Sequence, residues 1–567
     1  MTLRDLLQFA LFLGLLATVS PVLGHYMHRV LSGERTWLWR CFGAVERGIY
    51  AASGIHPEQE QTWKGYAGSL LAFTVAGFAL TMGVLLFQDR LPLNPQHVAG
   101  MSWHLAFNTA ASFVTNTNWQ SYAGETTVSH FSQMVGLTYQ NFVSAAVGIA
   151  ACTAIIRGIT RNEAQTIGNF WADLVRVTLY VLLPLSILFS VFLMWQGVVQ
   201  TFVSGVSATT LEGETQFLAL GPAASQVAIK LLGTNGGGFF NVNGAHPFEN
   251  PTALSSFVQA LSIFLIPSAL VFMLGAAVKN RRHAWTIWCV MAVVFVAGVC
   301  ALLWAETSGT PLLHKIAGVV PNLEGKEVRF GLFGTSLFST VTTDASCGAV
   351  NAMHASFTPL GGMVLLVNML LGELVFGGVG SGLYGMLLFI LLTVFIAGLM
   401  VGRTPDYLGK RIEGREITWV MVALLVAAMP ILCLSGWAAV SDWGTGALLN
   451  HGAHGLSEIF YAYTSATQNN GSAFAGFSAN APIPNVTLGL AMLVGRFGIM
   501  LALLAMSGSL VTRKTRPVSD SSFPVEGLTF GVLLLGIIVI VGALTYLPAL
   551  SLGPVVEHFQ MLDGQLF

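Results

Sequence analysis

The chemically most specific part of this sequence is a set of four polar stretches in a mostly apolar chain. They are rich in Thr, Ser, Asn and Gly and recur at intervals of about 110 to 125 residues. Neutral oxygens without a ring of carboxylates suit K⁺ or Na⁺ better than Ca²⁺ or Mg²⁺. Glycine lets backbone approach such an ion closely, because it has no Cβ. The stretches are VTNTNWQ (114–120), GTNGGGFF (233–240), TTDASCGAV (342–350) and TSATQNNGSAF (464–474).

The composition indicates a polytopic membrane protein. Of 567 residues, 54% are hydrophobic and 9% are charged, whereas soluble domains have about 25% charged residues. A net charge of −1 argues against nucleic acid as a partner, because no basic face is available for phosphates. The six cysteines are scattered without a C-x-x-C pair, which favours neither a zinc site nor a disulfide framework. We interpret the first apolar run as a retained helix rather than a signal peptide.

Ten stretches are apolar and long enough to cross a bilayer as helices, which takes about 20 residues. On an alternating path, 18 of the 25 Lys and Arg fall on one side, which the positive-inside rule assigns to the cytoplasm. Both termini are then predicted to face outward, on the side opposite the cytoplasm. The predicted spans are roughly 5–25, 67–88, 132–156, 172–197, 254–278, 284–304, 360–401, 417–438, 486–511 and 527–549.

Each polar stretch follows a segment too short to span and lies between two spans. This unit occurs four times, which predicts an all-α integral membrane protein with four span–pore-loop–span repeats around a pseudo-fourfold pore. One extra helix is expected at each end. The predicted parts are a first helix and cytoplasmic loop (1–66), repeat 1 (67–156), repeat 2 (172–278), repeat 3 (284–401), repeat 4 (417–511) and a last helix with a periplasmic tail (527–567).

The hydrogen-bonding requirement of backbone groups in a membrane favours a pore that the four stretches share. Non-helical backbone at membrane depth is tolerated only where it is buried in protein or lines a water-filled path. One such cluster would be interpreted as an external turn, but four at the same place in four repeats favour carbonyl oxygens that replace the hydration shell of a monovalent cation. Phe239 and Phe240 are expected to pack behind the second stretch.

Seven strings spread over the chain resemble the KdpA family, the potassium-binding subunits of Kdp ATPases, within the superfamily of K⁺ transporters that includes Trk, Ktr and HKT proteins. An extra helix at each end also resembles that family. The strings are TNTNWQSYAGE (115–125), GTNGGGFFN (233–241), AHPFENPT (245–252), SCGAVNAMH (346–354), GELVFGGVGSGLYGML (372–387), GRTPDYLGKRIE (402–413) and TQNNGSAFAGF (467–477).

The resemblance implies high-affinity K⁺ uptake across a bacterial inner membrane, with K⁺ as the bound substrate and no organic cofactor. It implies three partners: a KdpB-like P-type ATPase subunit, a KdpC-like subunit and a small KdpF-like helix. It also implies a filter on matching positions of the four loops. These are Asn116, Thr117 and Asn118; Thr234, Asn235 and Gly236; Ser346, Cys347 and Gly348; and Asn469, Asn470 and Gly471.

The third loop departs from the family pattern at two positions. Asp344 stands where a small neutral residue is usual, and Ala355 stands where an acidic residue often follows the histidine. Asp344 would either hydrogen-bond backbone at the end of the pore helix or tune the entrance of the ion. The electrostatics of the filter therefore remain open at this point.

Two further features are candidates for a cavity and a gate. Arg496 lies within a predicted span, where a charge is costly unless it is paired or hydrated. It would either repel cations below the filter or form a structural salt bridge, for which Glu373 is a candidate partner. The glycine-rich string at 377–382 should break the long span 360–401. Gly377, Gly378, Gly380 and Gly382 would then form a gate, or else allow close helix packing.

Three classes of function follow from these patterns. The first is the K⁺-conducting subunit of an ATP-driven pump, which would need a partner for hydrolysis because the chain has no G-x-x-x-x-G-K-[ST] and no D-K-T-G. The second is a free-standing K⁺ channel or symporter driven by the membrane potential. The third, a lipid-modifying enzyme, is disfavoured because charges in 404–416 alternate on a short loop typical of a docking surface. For the pump, the ion could leave downward past 377–382 or sideways into the ATPase.

Overall fold

The computed structural model describes residues 2–516 and 523–565, and these are mostly helical with few strands. The helices longer than one turn are, in chain order, α1 (Leu3–Leu31), α2 (Trp39–Ser53), α3 (Trp63–Leu86), α4 (Trp103–Val114), α5 (Ser132–Thr160), α6 (Phe170–Gln196), α7 (Ala223–Leu232), α8 (Ala253–Ala277), α9 (Arg281–Ser308), α10 (Pro311–Ala317), α11 (Gly331–Asp344), α12 (Pro359–Leu370), α13 (Ser381–Met400), α14 (Gly414–Ala439), α15 (Gly452–Thr467), α16 (Pro482–Leu510) and α17 (Leu528–Leu562).

Ten helices in the described ranges are long and apolar enough to cross a membrane, which confirms the predicted number. They are α1, α3, α5, α6, α8, α9, α13, α14, α16 and α17. Many run past the predicted ends, as where α1 continues to Leu31 and α5 to Thr160. Hydropathy marks only the part of a helix inside the apolar layer, whereas the hydrogen-bond ladder continues into its polar flanks.

The predicted span 360–401 is two helices, α12 and α13, separated by non-helical residues 371–380. The break therefore exists as predicted, but it begins before the glycine string at 377–382. Directly after the end of α12, Gly372 (φ 91°) and Glu373 (φ 49°) both have a left-handed backbone conformation, which does not continue the helix. Gly382 lies in the first turn of α13 rather than in the break.

Four short helices, α4, α7, α11 and α15, precede the four polar stretches. Each is largely buried in protein, and α4, α7 and α15 are followed by a return through a longer helix, whereas α11 is followed by the broken pair α12 and α13. Two small antiparallel hairpins complete the fold. One joins β1 (Gly205–Thr209) to β2 (Thr215–Ala219), and the other joins β3 (Asp406–Tyr407) to β4 (Lys410–Arg411).

The second hairpin is fastened to two helix ends by one lysine. The Lys410 Nζ donates hydrogen bonds to the carbonyls of Gly158 (2.8 Å) and Arg161 (2.5 Å) at the end of α5. It also donates to the Leu510 carbonyl at the end of α16 (2.7 Å). The last carbonyls of a helix have no partner within the helix, and a cation there is favourable. Lys410 therefore joins the segment after α13 to α5 and α16, two helices that lie far apart in the sequence.

We expect Lys410→Met to lower the free energy of unfolding by about 2–4 kcal/mol, because buried carbonyls lose their donor. Thermal unfolding followed by intrinsic tryptophan fluorescence measures this change. Lys514→Met removes an equal charge from an exposed position and should leave the melting temperature nearly unchanged. Equal melting temperatures for both variants would contradict the anchoring role of Lys410.

Candidate functional site

The four pore helices end in the same backbone motif. In each, an amide N–H in the loop donates to the carbonyl five residues back, and the residue before that amide has a left-handed conformation. Glycine is the usual left-handed residue in this helix cap, and a β-branched residue there is rare. The amide–carbonyl pairs are Thr117–Ser112, Asn235–Lys230, Cys347–Thr342 and Asn470–Ser465. The left-handed residues are Asn116 (φ 68°), Thr234 (49°), Ser346 (54°) and Asn469 (63°).

The pore-helix residue that caps each loop also holds that loop with its side chain. This position is occupied by four residues, Ser112, Lys230, Thr342 and Ser465, and each side chain bonds loop backbone six or seven residues ahead. Because the same contact recurs in all four repeats, it fixes how far each loop extends from its helix. The contacts are Ser112 Oγ to the Trp119 carbonyl (3.0 Å), Lys230 Nζ to the Gly237 carbonyl (3.0 Å), Thr342 Oγ1 to the Ala349 carbonyl (2.6 Å) and the Gly471 amide to Ser465 Oγ (3.0 Å).

Hydrogen bonds between neighbouring loops close into a ring. We name the loops by order: loop 1 (115–120), loop 2 (233–238), loop 3 (345–350) and loop 4 (468–473). Each loop bonds the next, and loop 4 bonds loop 1. The bonds are Asn116 Nδ2 to the Gly233 carbonyl (3.0 Å), Cys347 Sγ to the Asn235 carbonyl (2.8 Å), Ser346 Oγ to the Asn469 carbonyl (3.0 Å) and Asn469 Nδ2 to Thr117 Oγ1 (2.9 Å).

Backbone from different loops approaches so closely inside the ring that side chains do not fit. A Cβ added to Gly236 would lie 2.7 Å from the carbonyl oxygen of Thr117, and a Cβ added to Gly471 would lie 2.0 Å from the same carbonyl oxygen. A Cβ on Gly348 would lie 2.6 Å from the carbonyl carbon of Gly471. In loop 1 the matching residue is Asn118, whose side chain turns away to bond Asn141 Oδ1 (2.5 Å). The twelve residues named from the sequence therefore lie together around a narrow, backbone-lined centre.

The ring opens on one side to a cavity of about 620 Å³. All four loops contribute to the lining of this cavity, among other residues through Asn118, Gly237, Gly348 and Gly471. On the opposite side, the break 371–380 lies directly against the ring. The cavity and the break thus define an open face and a covered face of the site.

Three contacts join the break to its surroundings. The Val379 amide donates to Thr234 Oγ1 in loop 2 (2.9 Å). A Cβ on Gly378 would lie 2.9 Å from the Ser346 Cβ in loop 3, and a Cβ on Gly380 would lie 2.1 Å from a carbonyl of α5. Glycine is thus required where the break touches the ring and the neighbouring helix. Gly377 in the break lies against Gly382 in the first turn of α13.

Arg496 lies beside the covered face of the ring. It sits in a wide turn of α16 and lines a cavity of about 90 Å³ together with Glu373, Gln468 and Asn469. Such wide turns are frequent at functional sites. Arg496 is buried, and its Nη2 has no hydrogen-bond partner among the described residues. The expected Glu373–Arg496 salt bridge is absent from the ion pairs of the described ranges, and Glu373 Oε1 is likewise without a partner there.

Lys230 and Asp344 are buried ionisable residues near the loops, and the sequence did not predict their contacts. Lys230 pairs with Glu249 (2.5 Å), and the other oxygen of Glu249 accepts the Phe240 amide (2.9 Å). The ion pair thus holds the end of loop 2 in place. In the sequence, only the acidic residue of AHPFENPT could have suggested this pair.

Asp344, at the end of α11, is buried, and both its carboxylate oxygens lack a hydrogen-bond partner among the described residues. The expected bond from Asp344 to pore-helix backbone is therefore not observed.

Comparisons with known proteins agree with this architecture. The family model KdpA, potassium-transporting ATPase A subunit, matches residues 10–559. A protein of Nitratidesulfovibrio vulgaris, named potassium-transporting ATPase potassium-binding subunit, is 68% identical, with 100% of both chains covered. A protein of the same name from Methylobacterium nodulans is 55% identical and covers 100% of this chain and 99% of its own. The crystal structure of the potassium transporter TrkH from Vibrio parahaemolyticus matches with TM-score 0.53 and 15% identity, covering 89% of this chain and 98% of that chain.

The fold and the ring of loops define a multi-pass membrane protein of the class that combines spanning helices with short pore helices. The likeness to TrkH supports that architecture at the level of the fold. The chain belongs to the KdpA family, as the family model and the curated relatives show over its whole length.

We expect Lys230→Met to lower the free energy of unfolding by about 3–5 kcal/mol, because Glu249 is left as an unpaired buried charge. The double variant Lys230→Met with Glu249→Gln should recover most of this loss. Thermal unfolding of the four proteins in one double-mutant cycle measures both effects. Additive losses in the double variant would show that the two side chains do not stabilise each other.

Proposed function

We propose that this protein binds K⁺ in the ring of four loops and translocates it inward as the ion-conducting subunit of an ATP-driven, high-affinity uptake complex. The observation that carries the proposal is the close backbone approach at Gly236, Gly348 and Gly471, which leaves oxygens rather than side chains around the centre. Oxygens of this kind replace the hydration shell of a monovalent cation. The proposed ligands are the backbone and neutral side-chain oxygens of the twelve filter residues named above.

We infer that K⁺ arrives from the periplasmic side through the 620 Å³ cavity. The excess of Lys and Arg on the opposite side supports this orientation. In the proposed orientation the protein lies in a bacterial inner membrane and both termini face the periplasm. The ion loses its water in the ring and then reaches the space beside Arg496.

The energy source is proposed to be a partner chain, because this sequence has no nucleotide-binding motif. The names of the relatives point to an ATPase complex. The proposed partners are a KdpB-like P-type ATPase subunit that hydrolyses ATP, a KdpC-like subunit and a small KdpF-like helix. The protein is then a non-hydrolytic subunit, and K⁺ is its transported substrate.

The covered face of the ring is proposed to work as a gate. The Val379 amide bonds loop 2 and Gly378 lies against Ser346 of loop 3, so displacement of the break would open the path downward. The proposed gate residues are Gly377, Gly378, Gly380 and Gly382. The cavity at Arg496 reaches residues of α14 and α17 and supports a sideways exit toward a partner. Arg496, buried without a paired carboxylate, would repel a cation that passes without coupling to ATP hydrolysis.

The alternative is a free-standing K⁺ channel or symporter driven by the membrane potential, as the likeness of fold to TrkH would allow. Whole-length identity of 55–68% to relatives named as ATPase subunits favours the pump subunit. Purification of the chain with its associated proteins separates the two. A co-purifying ATPase stimulated by K⁺ supports the pump, whereas K⁺ flux through the chain alone in liposomes supports the channel.

We expect Gly236→Asp to raise the K⁺ concentration for half-maximal ATPase stimulation about tenfold or more, or to admit Na⁺ as an activator, because a side chain cannot enter the ring without displacing loop 1. K⁺ and Na⁺ titrations of ATPase activity measure this. Leu211→Asp adds the same carboxylate at a fully exposed position of the turn between β1 and β2 and should leave the titration unchanged. An unchanged ion response of Gly236→Asp would mean that the filter lies elsewhere.

We expect Arg496→Gln to increase passive Rb⁺ flux without ATP about tenfold, because a positive charge is removed from the path below the ring. Arg496→Lys keeps the charge and should retain the low flux of the wild type. Tracer uptake by proteoliposomes containing the whole complex gives the measurement. If both variants lose thermal stability and neither leaks, Arg496 has a structural role.

A further inference from the structure

The helix α2 has three distinct faces, of which only one is explained by the fold. It connects α1 to α3 on the side of the membrane that carries most Lys and Arg. Its buried face, with Leu38, Phe42 and Ile49, packs against α1 and the first half of α6. On that face Glu46 accepts a hydrogen bond from the Tyr180 hydroxyl (2.6 Å). These contacts hold α2 across the ends of two spanning helices.

The second face of α2 is exposed and apolar. Trp37, just before the helix, is 71% exposed, and Val45 is 48% exposed. The exposed residues of the helix follow a spacing of three, four and seven, so they share one side. This stripe consists of Cys41, Ala44, Val45, Gly48 and Ala52. A small apolar stripe with a tryptophan at one end is typical of a helix that lies in the lipid–water interface.

The third face carries positive charge that no carboxylate neutralises within residues 2–516 and 523–565. Arg40 and Arg47 are exposed, lie seven residues apart, and flank the apolar stripe on one edge. The nearby carboxylates are occupied, since Glu34 pairs with Arg29 and Glu46 pairs with Arg176. Arg35 adds a third guanidinium group. The guanidinium carbon of Arg35 lies 4.5 Å from the ring centroid of Trp39, and that of Arg47 lies 5.4 Å from the same centroid.

We propose that α2 lies in the headgroup layer of the bilayer and binds anionic phospholipid headgroups through Arg40 and Arg47. Three observations fit this occupant: the uncompensated guanidinium groups, the apolar stripe beside them and the continuity with spanning helices whose outer surfaces are exposed and apolar. Guanidinium groups bind phosphate oxygens with two parallel hydrogen bonds. Each basic residue near an anionic membrane surface strengthens attachment about fivefold.

Lipid retention by the complete complex tests the proposal. The complex is purified in detergent with phosphatidylglycerol or phosphatidylcholine of the same acyl chains, and bound lipids are counted by native mass spectrometry. The double variant Arg40→Gln with Arg47→Gln should bind phosphatidylglycerol about 25-fold more weakly than the wild type. The control Arg40→Lys with Arg47→Lys keeps both positive charges on α2 and should bind it much more strongly than the Gln variant does.

Equal phosphatidylglycerol retention by the double variant and the wild type would overturn the proposal. Loss of a co-purifying protein rather than lipid from the double variant would also overturn it and would identify a protein interface. A spin label on Cys41, with Cys289, Cys300 and Cys433 changed to Ser, gives a measurement that leaves the arginines intact. In liposomes this label should be reached by oxygen more readily than by an aqueous nickel chelate, and the reverse order would place α2 in water.

Discussion

The requirement that buried backbone be hydrogen-bonded governs this structure, because four helix ends meet inside the apolar layer. A helix end leaves carbonyls without partners, and at membrane depth water cannot supply them. The protein satisfies them with one cap repeated four times and with side chains from neighbouring loops. The Asn116 side chain bonds the Gly233 and Thr234 carbonyls, and Ser346 bonds the equivalent Gln468 and Asn469 carbonyls. Each loop is therefore completed by the next one.

The same structural position is supported by different chemistry in each repeat. Ser112, Thr342 and Ser465 hold their loops with hydroxyl groups, whereas Lys230 uses an ammonium group that then needs Glu249 as a counter-charge. The buried ion pair costs desolvation but reaches further than a hydroxyl, so it also fixes the segment behind loop 2. The four repeats therefore share a geometry but not the residue types that support it. For this reason the repeats are hard to recognise by sequence identity and easier to recognise by the spacing of their polar stretches.

Hydropathy and spacing were sufficient to predict the ten spans, the four short helices and the break in 360–401, because each depends on composition over many residues. Positions that depend on a single contact were not predictable. The break begins where Gly372 and Glu373 take a left-handed conformation, Lys230 pairs with a residue 19 positions away, and Glu373 and Arg496 line one cavity without an ion pair among the described residues. These outcomes depend on local backbone conformation and on single side-chain contacts, which hydropathy and spacing do not encode.

Strain in the ring ties the site to the whole fold. Thr234 and Ser346 adopt a left-handed conformation that costs about 1 kcal/mol or more for residues other than glycine. Glycine would relieve that cost but would remove Ser346 Oγ from loop 4 and Thr234 Oγ1 from the Val379 amide. At these two positions the contacts of the polar side chains with a neighbouring loop and with the break offset the cost of the strained backbone. Because Thr234 joins the ring to residues 371–380, a movement of the break must change the hydrogen bonding of loop 2, so the ring and its covered face form one mechanical unit.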